Sequence, residues 1–95
     1  MKIATFDIET SALAANFGIV LCAVIKPWQG EVQVYRLDQL PGERRSDDTL
    51  LVSTVIAELN QYMILIAHNG VKFDRVFLNT RATKNGTPLL NPRGN

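Results

Sequence analysis

Polar and apolar residues alternate from Lys2 to Ile8. Ala4, Phe6 and Ile8 point one way; Ile3, Thr5, Asp7 and Glu9 point the other. A period of two with Ile, Thr and Phe predicts a strand with one buried face. Residues 10–17, TSALAANF, read as a loop rich in small side chains. Gly18 to Lys26 is a nearly continuous apolar run, rich in β-branched residues, and predicts a buried central strand. Pro27-Trp28-Gln29-Gly30 is a turn, and Glu31 to Leu37, with Val32 and Val34 on one face, is a third strand. Strands this close in sequence form an antiparallel meander.

The period then changes. Residues 38–46 hold Pro41, Gly42, Glu43, Arg44 and Arg45, a solvated loop. Ser46, Asp47 and Asp48 can cap a helix and complement its positive end. Leu51, Val55 and Leu59 recur at i+4 with Val52, Ile56 and Met63 beside them, which predicts an amphipathic helix. Met63 to Ala67 reads as a buried strand, and Asn69-Gly70 turns the chain. Val71 to Arg81 is a second helix, ended by Asn85-Gly86 and Pro88. The order is β-β-β-α-β-α, an α/β fold. A strand–helix–strand crossover gives the fourth strand a parallel partner, and the first strand is the candidate.

At 95 residues the chain is one domain, residues 1–95, with a thin core; a chain this short buries only about 60–65% of the surface its unfolded state exposes. Hydrophobic residues make up 46% and charged residues 20%, which argues against a disordered tail. The net charge of +1 announces neither a nucleic-acid nor a membrane partner. It is unevenly spread: residues 1–58 hold five basic and eight acidic residues, residues 59–95 five basic residues and one acid. Acids from the first part and bases from the second lie side by side if the two pack together. The lone Cys22 fits a reducing compartment, and Asp7 and Glu9 stand where a signal peptide needs apolar residues, so a cytoplasmic protein is expected.

Paired in parallel, the first and fourth strands end at one edge of the sheet, where ligands of open α/β sheets bind. Asp7 and Glu9 close the first strand, and His68-Asn69-Gly70 closes the fourth. Two carboxylates on one strand face, their α-carbons about 6.5–7 Å apart, repel unless a cation lies between them. Hard divalent ions such as Mg²⁺ or Mn²⁺ take oxygen ligands of this kind. Taken alone, a D-x-E on a strand is more often a solvated acidic face. Asp74 falls early in the second helix and can supply a third carboxylate; taken alone it equally compensates the helix dipole, with Asn69 a cap and Phe73 a core residue. Lys72, Arg75, Arg81 and Lys84 form either a solvated face or a phosphate-binding one, and position beside Asp74 favours phosphate for Lys72 and Arg75. Cys22 reads as inert core and His68 as a strand-end residue.

Together these stretches resemble a known family. Asp7-Ile8-Glu9-Thr10 is similar to the first motif of the DEDD 3′–5′ exonucleases, which have an RNase H-like fold. Asn69-Gly70-Val71-Lys72-Phe73-Asp74 is similar to their second motif, with the spacing of the proofreading exonuclease domain of family B DNA polymerases and its bacterial relatives. Phe77-Leu78 and Arg81-Ala82 continue the likeness. The resemblance implies a mixed RNase H-like sheet, two divalent metal ions, Mg²⁺ or Mn²⁺, and hydrolysis at the 3′ end of single-stranded DNA or RNA. It implies that Asp7 bridges both ions, that Glu9 holds one and approaches the terminal 3′-hydroxyl, and that Asp74 supports the second. Thr10 and Leu13 match positions that meet the terminal nucleotide, and Asn69 and Phe73 match positions that line the single-strand groove.

The family's fourth acid lies in a third motif, Tyr-x-x-x-Asp or His-x-x-x-Asp, and this sequence has neither. Gln39 follows Tyr35 by four, Ile66 follows Tyr62, and Lys72 follows His68. The likeness covers the first half of such a domain, and Leu89 to Asn95 ends where its fifth strand would begin. The fold is therefore expected to be incomplete at the C-terminus, with an open sheet edge that invites self-association. Two other readings stay open: an inactive single-strand-binding module of the same fold, and a small-molecule-binding α/β domain whose acids are only surface.

Overall fold

The alternation in the first segment folds as read. The computed structural model describes residues 2–12, 18–40, 47–67 and 71–91. Strand β1 spans Ile3–Thr10, β2 Val20–Pro27 and β3 Gln33–Arg36, followed by a short 3-10 helix over Leu37–Gln39. Helix α1 spans Thr49–Leu59, β4 Ile64–Ala67 and α2 Val71–Asn85. The four strands form one sheet in the order β3-β2-β1-β4. β1 pairs antiparallel with β2, β2 antiparallel with β3, and β1 parallel with β4, with Phe6 opposite Ala67. The meander and the parallel crossover are both present.

Ala4, Phe6 and Ile8 of β1, with Val20, Ala23 and Ile25 of β2, are buried on one face of the sheet. Both helices lie there. α1 packs on β2 and β3, α2 on β4 and on α1. Leu51, Val52, Val55, Ile56 and Leu59 of α1 and Phe77, Leu78 and Ala82 of α2 complete the core. Each such Val, Leu, Ile or Phe side chain contributes roughly 1.5–3 kcal/mol on full burial.

The opposite face is not covered by any described residue, and this corrects two readings. The run Gly18 to Lys26 is interior in strand order but buried on one face only; Leu21 is 40% exposed. Met63 to Ala67 is not a buried strand. β4 is an edge strand, with Met63 65% and Ile66 52% exposed. An apolar run reads alike in the centre and at the edge of a sheet, because burial is decided by what packs against it.

β1 also runs one residue past Glu9, to Thr10. It holds a β-bulge. Glu9 pairs with Cys22 and Thr10 with Val20, so Leu21 is an extra residue on β2.

Asp48 is a further correction. It stands at the N-cap of α1 but makes no side-chain cap bond there. It is fully buried. One carboxylate oxygen accepts the Val20 N–H at 2.9 Å and Arg81 Nε at 3.0 Å. The other accepts Arg81 Nη2 at 2.9 Å and Asn85 Nδ2 at 3.0 Å. The helix-cap role falls to Asp47, whose carboxylate accepts the Thr49 N–H at 3.0 Å. Arg81 therefore is not part of a phosphate-binding face. The charge asymmetry of the sequence is realised here, where an early acid meets a late base inside the protein.

The last described residues are a clasp that the sequence did not disclose. Leu90 is buried. Its N–H bonds Asn79 Oδ1 at 2.8 Å, and the Asn91 N–H bonds Asn60 Oδ1 at 2.8 Å. Asn60 Nδ2 donates to the Leu89 carbonyl at 3.2 Å. Asn60 is the C-cap of α1, so the segment after α2 is tied back to both helices. The chain turns into this segment at Gly86, whose φ of +72° suits glycine.

Burial alone would raise the Asp48 carboxyl. The bonds from Arg81, Val20 and Asn85 and the guanidinium charge outweigh it and hold the group below the ordinary carboxylate range. A depressed folded pKa means stability that is present above the unfolded value of about 3.9 and lost as pH falls through the folded one. Arg81→Ala leaves a buried carboxylate short of its charge partner and should cost about 3–5 kcal/mol at neutral pH. Urea unfolding at pH 7 and pH 3 checks both points: the variant's deficit should shrink as the carboxylate protonates.

Candidate active site

β1 carries two acids out onto the uncovered face. Phe6 and Ile8 are locked into the core, so the pleat turns Asp7 and Glu9 to the other side. Asp7 is half-buried and lies opposite Val24; Glu9 is exposed and lies opposite Cys22. Asp7 Oδ1 is buried and has no hydrogen-bond partner among the described residues. A buried carboxylate oxygen in that state carries a desolvation cost that a cation or a donor group would relieve.

The two acids open onto two clefts. One, of about 530 Å³, is lined by Asp7, Thr5, Val24, Lys26, Ile66 and Ala67. The other, of about 940 Å³, is lined by Glu9, Leu21, Cys22, Val34, Arg36 and others. Arg36 lies across β2 from Glu9, in register with Cys22. It also pairs with Asp38 at 2.8 Å. Sequence reading passed over Arg36 and Lys26. The signal was the same period of two, because Cys22, Val24 and Lys26 alternate with buried Ala23 and Ile25. Burial pushes the Cys22 thiol up, and the Glu9 carboxylate adds to it, so Cys22 faces this cleft as a neutral thiol.

The second constellation is described in part. Because β4 runs parallel to β1 and Ala67 pairs with Phe6, α2 starts from the edge at which Asp7 stands. Asp74 lies in the first turn of α2 and is fully buried. Phe73 is half-buried, packs against the core and meets Phe77 with ring centroids 5.6 Å apart. Thr10 is half-buried at the bulge, and its hydroxyl donates to the Ala12 carbonyl at 2.8 Å. Arg75 is half-buried, and Lys84 is exposed. Leu13, His68, Asn69 and the side chain of Lys72 lie outside the described residues. Among the described residues, no group of three or more His, Cys, Asp or Glu is gathered closely enough to hold a metal ion. No helix among them is long and apolar enough to cross a membrane.

The comparisons with known proteins speak to the fold. No curated protein matches the chain. Among solved structures it is similar to the family B DNA polymerase of the hyperthermophilic archaeon Pyrobaculum calidifontis, with a TM-score of 0.66 and 21% sequence identity. The likeness covers 93% of this chain but 12% of the polymerase, so the chain corresponds to a small part of that protein. The model of the RNase H superfamily matches residues 4–92, nearly the whole chain. With its mixed sheet, its parallel β1–β4 pair and its acids at the end of β1, the chain belongs to the RNase H superfamily.

Proposed function

We infer that the chain is the N-terminal portion of a metal-dependent 3′–5′ exonuclease that hydrolyses phosphodiester bonds at single-stranded DNA or RNA ends. The observation that carries this reading is the Asp7 carboxylate. It stands at the carboxyl end of a central strand, beside Glu9, with one buried oxygen that no described residue bonds. The superfamily match supports nuclease chemistry of this general kind.

Asp7 and Glu9 fit one hard divalent cation by donor type and by face. Asp74, leading off the same sheet edge, would be the third ligand. When bound, a pair of Mg²⁺ or Mn²⁺ ions lowers the pKa of an attacking water and stabilises the leaving 3′-oxygen. The protein's own contribution is placement. Thr10, Leu13, Asn69 and Phe73 would position the terminal nucleotides, and Lys72 would meet a phosphate. On this reading the partners are a single-stranded 3′ end and, through the open sheet edge, a second copy of the chain.

A second reading keeps the fold and drops the chemistry. The described acids do not assemble into a three-ligand group, and the third motif is missing. The first point favours a module that binds single strands without cutting them.

Two measurements separate the readings. Mn²⁺ should bind by calorimetry and raise the melting temperature. At about a hundred times its Kd it adds roughly 2.7 kcal/mol of stability. Asp7→Ala should abolish both effects, and unchanged binding would remove Asp7 from the site. The second measurement uses a 3′-labelled single-stranded oligonucleotide with Mg²⁺ or Mn²⁺. Release of mononucleotides should be weak at best, because the group that orients the water is absent and positioned proton transfer typically contributes about 10²–10⁴-fold. Strand binding without any Asp7-dependent release favours the binding module. Robust stepwise release, lost in Asp7→Ala, would show that the chain obtains its fourth ligand from elsewhere.

A further inference from the structure

We propose that Asn85 is a site of spontaneous deamidation, held back in the folded chain by its bond to Asp48, and that its conversion to a carboxyl group undoes the buried network around Asp48. The inference does not depend on the nuclease reading.

Asparagine is a thermolabile residue, and the residue after it sets how readily it reacts. The main-chain nitrogen of that residue loses its proton and attacks the side-chain Cγ. The ring closes as a succinimide and ammonia leaves. Water then opens the ring to aspartate or isoaspartate. A following glycine, with no Cβ, leaves the nitrogen unshielded. Asn69 and Asn85 both precede glycine, and Asn69 lies outside the described residues. Asn91 precedes Pro92, whose nitrogen has no proton to lose.

Asn85 is the last residue of α2, and helix ends open locally at small free-energy cost. Gly86 is exposed, and a Cβ built on it would meet nothing within 4 Å. Its nitrogen is open to the reaction once the turn frays. In the closed turn two bonds oppose the attack. Asn85 Nδ2 donates to Asp48 Oδ1 at 3.0 Å, which ties down the amide. The Gly86 N–H donates to the Thr83 carbonyl at 3.3 Å, which occupies the attacking nitrogen.

The product sets this asparagine apart from one at an open surface. Asp48 is fully buried and accepts a bond from the very amide that deamidation removes. A second carboxyl group then stands where that donor stood. Arg81 carries one positive charge and already gives Asp48 two bonds, so it offsets one carboxylate and not both. The two carboxylates repel, or one keeps a proton at a pH where it is ordinarily ionised; both cost stability at neutral pH. Isoaspartate also adds a carbon to the main chain at the helix end. That displaces the Gly86 and Thr87 N–H groups from the Thr83 and Ala82 carbonyls. Refolding reverses neither change.

The test ages the full chain in mildly alkaline buffer, folded and in guanidinium chloride. Trypsin, cutting after Lys84 and Arg93, then releases residues 85–93 for mass spectrometry. Asn85 should convert at least about tenfold more slowly in the folded chain. Asn85→Asp should melt at least about 4 °C below the parent. Asn85→Ala loses the bond and adds no charge; Thr83→Asp adds a carboxylate at an exposed position of the same turn. Each should lose less than Asn85→Asp. An Asn85→Asp chain that fails to fold beside a folded Asn85→Ala is the same result at its extreme. Equal rates in the folded and denatured chain, or no conversion of Asn85 in denaturant, would overturn the proposal. So would an Asn85→Asp chain as stable as Asn85→Ala, or a Thr83→Asp chain as unstable as Asn85→Asp.

Discussion

A carboxylate removed from water has to be fully satisfied where it sits, and Asp48 meets that demand with four bonds from three residues of two elements. Its neighbours are fixed by the same constraint. Val20 begins β2, Thr49 begins α1, and Arg81 and Asn85 belong to the last turns of α2. Any movement of α2 along its axis would strip donors from a buried charge. The helix that carries Asp74 is thus registered against the sheet by an ion pair near its far end. A buried ion pair is weak evidence for net stability, but it is an effective ruler, because its alternatives are costly.

That ruler matters because the fold is one-sided. The helices and the buried face of the sheet make the core, while Asp7, Glu9, Lys26 and Arg36 share the other face with Val24, Val34 and Ile66. Charges and apolar side chains are interleaved there in a pattern that neither a fully solvated nor a fully buried surface would need. Such a face suits a ligand or partner with both characters, which a nucleotide has.

Local periodicity was enough to read β1, the element order and the parallel pairing of β1 with β4. Ala4, Phe6 and Ile8 announce their face within seven residues. What lay beyond reading was every choice made across distance. An aspartate just before a helix looks like a cap whether it caps or, as Asp48 does, meets an arginine 33 residues away. Leu89-Leu90-Asn91 looks like a loose end until Asn60 and Asn79 are seen to bracket it. β4 looked buried because five apolar residues carry no mark of edge or centre. The acids at 7 and 9 were legible as a pair, because both fall on one face of the same strand.

The bulge at Leu21 sets how this hairpin can change length. The buried positions of β2 change parity across it: Ala23 and Ile25 are buried on one side and Val20 on the other. Removing Leu21 would restore an uninterrupted ladder with Val20 still facing the core opposite Thr10, but losing one residue more would turn Val20 out of the core and away from the Asp48 carboxylate that its N–H serves. Residues gained or lost between Thr10 and Gly18 carry no such penalty, since they alter the connection and not the phase. Evolutionary drift in length is therefore expected in that connection, and near-invariance of residue count from Cys22 to Pro27.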